Sequence, residues 1–593
     1  MTHLRSPLPL GPMEPSLGAM LADRARRWPD RTAYQERGAA GAFVPLAWPD
    51  LHDRIRRAGS WLLSAGVGKG DRVATLSRNS ADMLVWELAI MSCGALSVPI
   101  FARYGPDQIA YLLEHSGARM LLVGDELQLE RAREARAPRL LDALVLSGPA
   151  AGANAGGTGA LTFDEVLAHP VDPAFDEAVR GLGPQEPCLV MYTSGTTGQP
   201  KGVVLVHGNI LSQQKALEAL WRIAPGDVFL SYLPWHHSFG GLFERFTALA
   251  QGATLSLDDS EGRDIPRLVA NWREIMPTHF FSVPKVYQAL VTECRLNPEV
   301  EGTVFHPGLK FVFTAAAPLP KDCSDYFARK GIPVLEGWGL TETSPCVTLT
   351  SPDGVRVPGI VGMPLPGVEV RIAEEREIHV RGPNVMRGYF HDPERTARVL
   401  GEDGWLRTGD LGEVTEGGLR IICRLDGVFK LSNGEKVPSA QVEAALTATS
   451  RFIEQAVVLG AGHDYVGALV FPNVRNLTAW AREHGLADLP LADLLAEPAV
   501  ASLFATEVDE RNATLEPGYL RVRAFSVVPH ELSIEAGELT PSLKVVRSRV
   551  AELQRPLVEA IYAEDGDPDL QCRVVRLARP AVVPDRLPEP ARD

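Results

Sequence analysis

Over roughly its first 420 residues the chain alternates short apolar runs with segments of helical length, and this alternation limits the fold more than any other feature. Arg72-Val-Ala-Thr-Leu76 and Arg119-Met-Leu-Leu-Val123 read as strands, whereas Leu51–Leu63 and Gly105–Ser116 carry a helical rhythm. Strands separated by helix-length segments argue for βαβ units and parallel sheets. The most apolar stretch, Leu88–Phe101, spans 14 residues and contains Gly94 and Pro99. It is too short and too interrupted to cross a bilayer, so it predicts a buried helix running into a strand. The expected class is α/β: a large N-terminal domain of mixed and parallel sheets flanked by helices.

The pattern changes near residue 420. Gly418–Val437 reads as a strand, a short break and a hairpin, with Asn433-Gly434 as the hairpin signal. A helix is expected from Pro438 to Leu446. A smaller, mobile α+β unit therefore begins near Asp426, and the expected domains are 1–425 and 426–593. The Gly/Ala-rich stretch 147–160 predicts an exposed, mobile loop, and Pro580–Asp593 a loosely ordered end. No internal repeat is visible.

Composition excludes several classes. At 593 residues the chain is long enough for several domains, and 45% hydrophobic with 22% charged residues is ordinary for a globular protein. Lys and Arg number 59 against 74 Asp and Glu, a formal charge of −15. That excludes a general nucleic-acid binder but not an anionic small substrate, since a few N–H groups and one lysine hold a phosphate locally. Seven cysteines, an odd count without a CxxC pair, indicate neither a disulfide framework nor a zinc ribbon and suit the cytoplasm. The first residues are broken by prolines and lack an apolar core, so no signal peptide is expected. No integral membrane segment or polybasic anchor is expected, and peripheral contact with a membrane stays open.

The segment richest in chemistry is Tyr192-Thr-Ser-Gly-Thr-Thr-Gly-Gln-Pro-Lys-Gly202. It lies between two apolar strand-like runs, Cys188–Tyr192 and Val203–Val206. Thr193, Ser194, Thr196 and Thr197 supply hydroxyls, Gly195 and Gly198 let the backbone approach an oxyanion, and Lys201 supplies a charge. A Walker loop is excluded: the spacing is wrong and a strand, not a helix, follows. Ser/Thr/Gly turns occur without function, but eleven residues of this composition ending in Lys-Gly are rare by chance.

This segment resembles the signature of the adenylate-forming superfamily, which includes acyl-CoA synthetases, carrier-protein adenylation domains and luciferases. Further segments match in order from Asp71 through Lys544. The resemblance implies ATP, Mg²⁺ and CoA as ligands and a small-molecule carboxylic acid as substrate. Gly337-Trp-Gly-Leu-Thr-Glu342 is similar to the adenine motif; by that similarity Trp338 stacks on the base, Thr341 contacts the α-phosphate and Glu342 holds Mg²⁺. The family more often has tyrosine where Trp338 stands. Gly404–Asp410 resembles the ribose motif, with Asp410 accepting from both hydroxyls. Arg424-Leu-Asp426 resembles the hinge: Arg424 contacts ribose or phosphates and Asp426 absorbs the domain rotation. The Gly434 hairpin matches the segment that lines the pantetheine tunnel. Glu538–Arg547 resembles the C-terminal motif, in its long-chain form, and makes Lys544 the catalytic lysine, after Thr540-Pro541 as a helix start. Leu233-Pro-Trp-His-His-Ser-Phe-Gly240 resembles a segment near the acyl pocket, with His237 at the family's histidine. Adjacent histidines face opposite sides, which argues against a metal pair at His236 and His237.

Each motif has a plainer reading in isolation: Trp338 a buried ring in a glycine-rich turn, Asp410 a turn residue, Gly434 a surface hairpin, His237 a structural histidine, Lys544 a solvated lysine. Two departures stand out. Thr314-Ala-Ala-Ala-Pro318 replaces a glycine-rich stretch beside the acyl group, and Cys423 precedes Arg424 where Gly or Asp is usual. The expected reaction is activation of a carboxylic acid to an acyl-adenylate and transfer to CoA, by a medium- or long-chain fatty acyl-CoA ligase. Phe281–Val286 and Glu244-Arg245-Phe246 resemble long-chain members. The alternatives are an aryl or biosynthetic acid, an acceptor that is a carrier protein or an amine, and a nucleotide-binding protein without catalysis.

Overall fold

The computed structural model describes residues 2–137, 141–148, 160–193, 199–315, 319–352, 354, 356–357, 359–447, 450–486, 489–533, 536–539, 545–563, 570 and 573–577. The chain divides into two compact units, Met1–Ile422 and Cys423–Asp593.

In the first unit, Arg72–Leu76, Leu96–Ile100, Met120–Val123 and Ala143–Leu146 form the parallel centre of an eight-stranded sheet. Their residues are almost all buried, the near-continuous apolar reading of a strand covered on both faces. The expected Leu88–Phe101 helix-to-strand passage is present as helix Ala81–Ser92 followed by strand Leu96–Ile100. That helix is buried on all sides, and Ser80 caps it by accepting from Met83 N. Leu51–Leu63 lies within helix Trp48–Ser64, and Gly105–Ser116 is helix Pro106–Ser116 with proline in its first turn.

One edge of this sheet departs from the βαβ rule. Pro187–Thr193 pairs parallel with Leu96–Ile100 but antiparallel with Lys201–Val206, which pairs antiparallel with the two-residue strand Gly388–Tyr389. A nine-stranded sheet repeats the arrangement. Thr254–Leu257, Val228–Ser231, His279–Ser282, Phe311–Thr314 and Val334–Gly339 run parallel, and Cys346–Leu349 then turns antiparallel. A third sheet carries Leu406–Thr415. The antiparallel edges place the start of Lys201–Val206 and the end of Val334–Gly339 where the candidate site lies.

The second unit has a two-stranded hairpin, Val428–Lys430 with Lys436–Pro438, and a four-stranded sheet of Ile453–Leu459, Val466–Pro472, Val522–Val527 and Val574–Arg576. Asn433-Gly434 turns the hairpin: Asn433 Oδ1 accepts from Glu435 N, and Gly434 has φ +86°, a left-handed conformation suited to glycine. Helix Ser439–Thr447 follows, as expected. Residues 149–159 of the Gly/Ala-rich stretch, and Pro580–Asp593, lie outside the described residues. Among the described residues no helix is long and apolar enough to cross a membrane.

A buried ion pair joins the helix Ala81–Ser92 to the segment after Trp235. Arg245 Nη1 lies 2.6 Å from Glu87 Oε2, both side chains are enclosed, and Arg245 also donates to Gly241 O and stacks on Trp235 and Phe246. Burial pushes the Glu87 carboxyl up, opposed by the guanidinium. Glu87→Ala is expected to cost about 3–5 kcal/mol of large-unit stability, because it strands the Arg245 charge. The double variant Glu87→Leu/Arg245→Met should recover most of that loss. Urea unfolding of the two variants checks this; equal losses would contradict it.

Candidate nucleotide site

The expected residues of the first unit converge through three contacts. The first joins the phosphate-loop segment to the adenine motif. Lys201 sits opposite Thr193 in the antiparallel pair, and its Nζ lies 2.7 Å from Glu342 Oε1. Tyr389, presented by the edge strand opposite Val203, completes the cluster. Its hydroxyl accepts from Lys201 Nζ at 2.7 Å and donates to Glu342 Oε1 at 2.8 Å, while the ammonium lies 4.5 Å from its ring centre. Burial works against ionisation of Glu342, but Lys201 and the Tyr389 hydroxyl outweigh it and hold the carboxyl below its ordinary value.

The second contact joins Trp338 to Asp410: indole Nε1 donates to Oδ2 at 2.8 Å. Gly339 is required beside Trp338, since a Cβ there would sit 1.8 Å from Pro345 O. Asp410 is 5% exposed, and its N–H donates to Thr408 Oγ1, which donates in turn to Ile378 O. The third contact joins Thr341 to the segment of His237: Thr341 Oγ1 donates to Ser238 Oγ at 3.2 Å. His237 Nδ1 accepts from Phe239 N. Behind Ser238, residues Phe239–Glu244 form a π-helix, a local form frequent at functional sites. Phe239 and Phe243 pack there on Phe281 and Phe313.

The arrangement suits a nucleotide. Thr193 Oγ1, at the end of the strand Pro187–Thr193, is buried without a hydrogen-bond partner among the described residues, a donor for an oxyanion. One ionised carboxylate, Glu342, with phosphate oxygens supplied by the substrate, is a donor set that fits Mg²⁺. Ser194, Gly195, Thr196, Thr197 and Gly198 lie outside the described residues, as do Ala316–Pro318 and Thr540–Lys544.

Arg424, Asp426 and Gly434 belong to the second unit. Arg424 ends the strand Gly418–Arg424 and is exposed, Asp426 lies in the 3₁₀ turn Leu425–Gly427, and Gly434 is exposed at the hairpin tip. Around the Lys544 motif, Leu539 pairs with Val545, and Val546 N donates to Glu538 O. Glu538 is buried and accepts from His530 Nε2 and Ser533 N.

Sequence reasoning missed Tyr389 and Ser238. Ser238 stands beside the histidine singled out and could have been found from the motif itself. Tyr389 lies 188 residues from Lys201 on a two-residue strand, and no periodicity marks it.

The sequence profile of the AMP-binding enzyme family matches residues 21–390, and that of the AMP-binding enzyme C-terminal domain matches 426–566. The chain belongs to the AMP-binding enzyme family. It is 28% identical over 602 residues to "Long chain acyl-CoA synthetase 7, peroxisomal" of Arabidopsis thaliana, covering 90% of this chain and 84% of that protein. It is 28% identical over 601 residues to "Long-chain-fatty-acid--CoA ligase FadD15" of Mycobacterium bovis, covering 93% and 97%. Its fold is similar to that of the anthranilate CoA ligase AuaEII in complex with anthranoyl-AMP, with a TM-score of 0.75 at 19% identity, covering 93% and 99%.

His236, next to His237, is held neutral. Its ring packs 4.4 Å from that of Phe101, and desolvation, with His237 and Arg103 nearby, lowers its pKa from 6.5 to about 3. The unfolded chain therefore takes up a proton near pH 6.5 that the folded chain refuses until about 3. The stability is present above pH 6.5 and is lost as pH falls toward 3. His236→Phe keeps an aromatic contact with Phe101 and should flatten that acid-side loss. Tm measured from pH 7 to 4 tests this, and an unchanged slope would contradict it.

Proposed function

We propose that this chain is an AMP-forming acid–thiol ligase that activates a medium- or long-chain fatty acid with ATP and passes it to CoA. The observation that carries the reading is the Lys201–Glu342 pair, 2.7 Å apart, in the same site as Trp338 and Asp410. These are a phosphate-binding cation, a hard-cation ligand, an aromatic face and a buried carboxylate, as a nucleoside triphosphate requires.

In this reading Trp338 takes the adenine face and Asp410 the ribose hydroxyls. Thr193, Ser194, Gly195, Thr196, Thr197, Gly198 and Lys201 hold the outer phosphates, and Thr341 the α-phosphate. Glu342 would hold Mg²⁺, which when bound neutralises phosphate charge. A carboxylate oxygen of the acid attacks the α-phosphorus, and the bond to pyrophosphate breaks. Lys544 neutralises charge between the carboxylate and the α-phosphate. The small domain, 426–593, then rotates about Asp426, with Arg424 beside the ribose or phosphates, and the Gly434 hairpin lines the path of the CoA thiol. The thiol gives up its proton to solvent, its sulfur attacks the acyl carbon, the carbon–oxygen bond breaks and AMP leaves. His237 borders the acyl group.

One observation supports a fatty acid. Both curated relatives named above carry long-chain names.

Mass spectrometry of products from ATP, Mg²⁺, CoA and a mixed pool of aliphatic and aryl acids tests the reading. New acyl-CoA species of medium or long chain are expected. Aryl-CoA alone would overturn the substrate class, and AMP with pyrophosphate but no acyl-CoA would move the acceptor to a carrier protein or an amine. Lys544→Ala should slow acid-dependent pyrophosphate exchange at least 100-fold. It should spare thioester formation from a supplied acyl-adenylate; equal loss of both would contradict the assigned role.

A further inference from the structure

Trp338 touches more than the space a base would fill. Its backbone is fixed by antiparallel pairing with Thr348 and by the close approach of Gly339 to Pro345. Asp410 is fixed from the other side by the chain of bonds through Thr408 to Ile378 O. Two rigid supports thus face each other, and the indole N–H bridges them to Asp410 Oδ2 at 2.8 Å. The ring is half-buried, while the carboxylate is almost fully enclosed. A carboxylate has a broad torsion about its terminal bond, and a directed donor on one oxygen narrows the planes in which the group lies.

We propose that Trp338 is a positioning residue for Asp410 and thereby a determinant of ribose selectivity: the indole N–H orients the carboxylate that reads the sugar hydroxyls, while the ring face takes the base. The inference rests on the nucleotide site proposed above. Base and sugar recognition then share one side chain. A ring without an N–H at this position keeps the base but loosens the reading of the sugar.

The test is equilibrium binding of ATP, 2′-deoxyATP and 3′-deoxyATP to the full chain by calorimetry, for the wild type, Trp338→Phe, Asp410→Asn and the double variant. Phenylalanine keeps an aromatic face and removes the donor. Any lost stacking weakens all three nucleotides alike, so the readout is the ratio of ATP affinity to deoxynucleotide affinity. Trp338→Phe should lower ATP affinity about tenfold, the scale of a hydrogen bond to a charged group, and should cut the ratio at least threefold. Asp410→Asn should bring the ratio close to one, and the double variant should be no less selective than Asp410→Asn alone, because both act through the same carboxylate.

An unchanged ratio in Trp338→Phe, with Asp410→Asn behaving as expected, overturns the proposal and leaves the nucleotide site standing. Binding of all three nucleotides unaffected by Asp410→Asn overturns the site reading, and the proposal with it. If Trp338→Phe does not fold, 3-benzothienylalanine at position 338 replaces it, keeping the bicyclic ring and exchanging N–H for sulfur. The same fall in ratio supports the proposal, and wild-type selectivity overturns it.

Discussion

The Lys201–Glu342 ion pair is the contact on which the geometry of the site depends. Both charges are largely withdrawn from water, so either one alone would be costly, and each fixes the other. The pair ties the antiparallel edge of one sheet to the segment that leaves the parallel centre of the other. Tyr389 shares its hydroxyl between the two charges, and Met386 N donates to Glu342 O just upstream. From that junction the chain runs back through Thr341, which donates to Ser238, to Trp338, which donates to Asp410.

Much of the fold was legible in the sequence, for a reason particular to parallel sheets. Strands such as Arg72–Leu76 and Leu96–Ile100 are buried on both faces, so each appears as a compact apolar run. The helices between them announce their ends with Ser80, with proline at 106 and with Gly117 in the left-handed conformation. The antiparallel edges were not legible as such. The Pro187–Thr193 and Lys201–Val206 strands read correctly as strands, but nothing local fixes their relative direction. Gly388–Tyr389, with two residues, has no period to detect. In the second unit the opposite holds: Asn433-Gly434 carries the turn chemistry in its own sequence, and the hairpin could be read directly.

The candidate site divides in the same way. Residues 192–202 are a continuous segment whose composition suggests a polyphosphate, and 337–342 is a continuous segment whose resemblance to the adenine motif implies a base. Tyr389 and Ser238 act only through partners distant in sequence, Lys201 and Glu342 for the first and Thr341 for the second. A single sequence lists residues but not who meets whom across 100 or more positions. The indole bond to Asp410 belongs to the same class: both residues stood in motifs, and only the structure joins them.

The central claim is that the carboxylic acid is activated by attack on the α-phosphorus within this site. The most direct measurement is the fate of ¹⁸O from a doubly labelled fatty acid, followed in AMP and pyrophosphate during turnover with ATP, Mg²⁺ and CoA. The bonds formed and broken in the proposed sequence require one labelled oxygen to leave in AMP and none in pyrophosphate. Label in pyrophosphate or inorganic phosphate, or AMP formed without label, would contradict an acyl-adenylate and with it the account of the site.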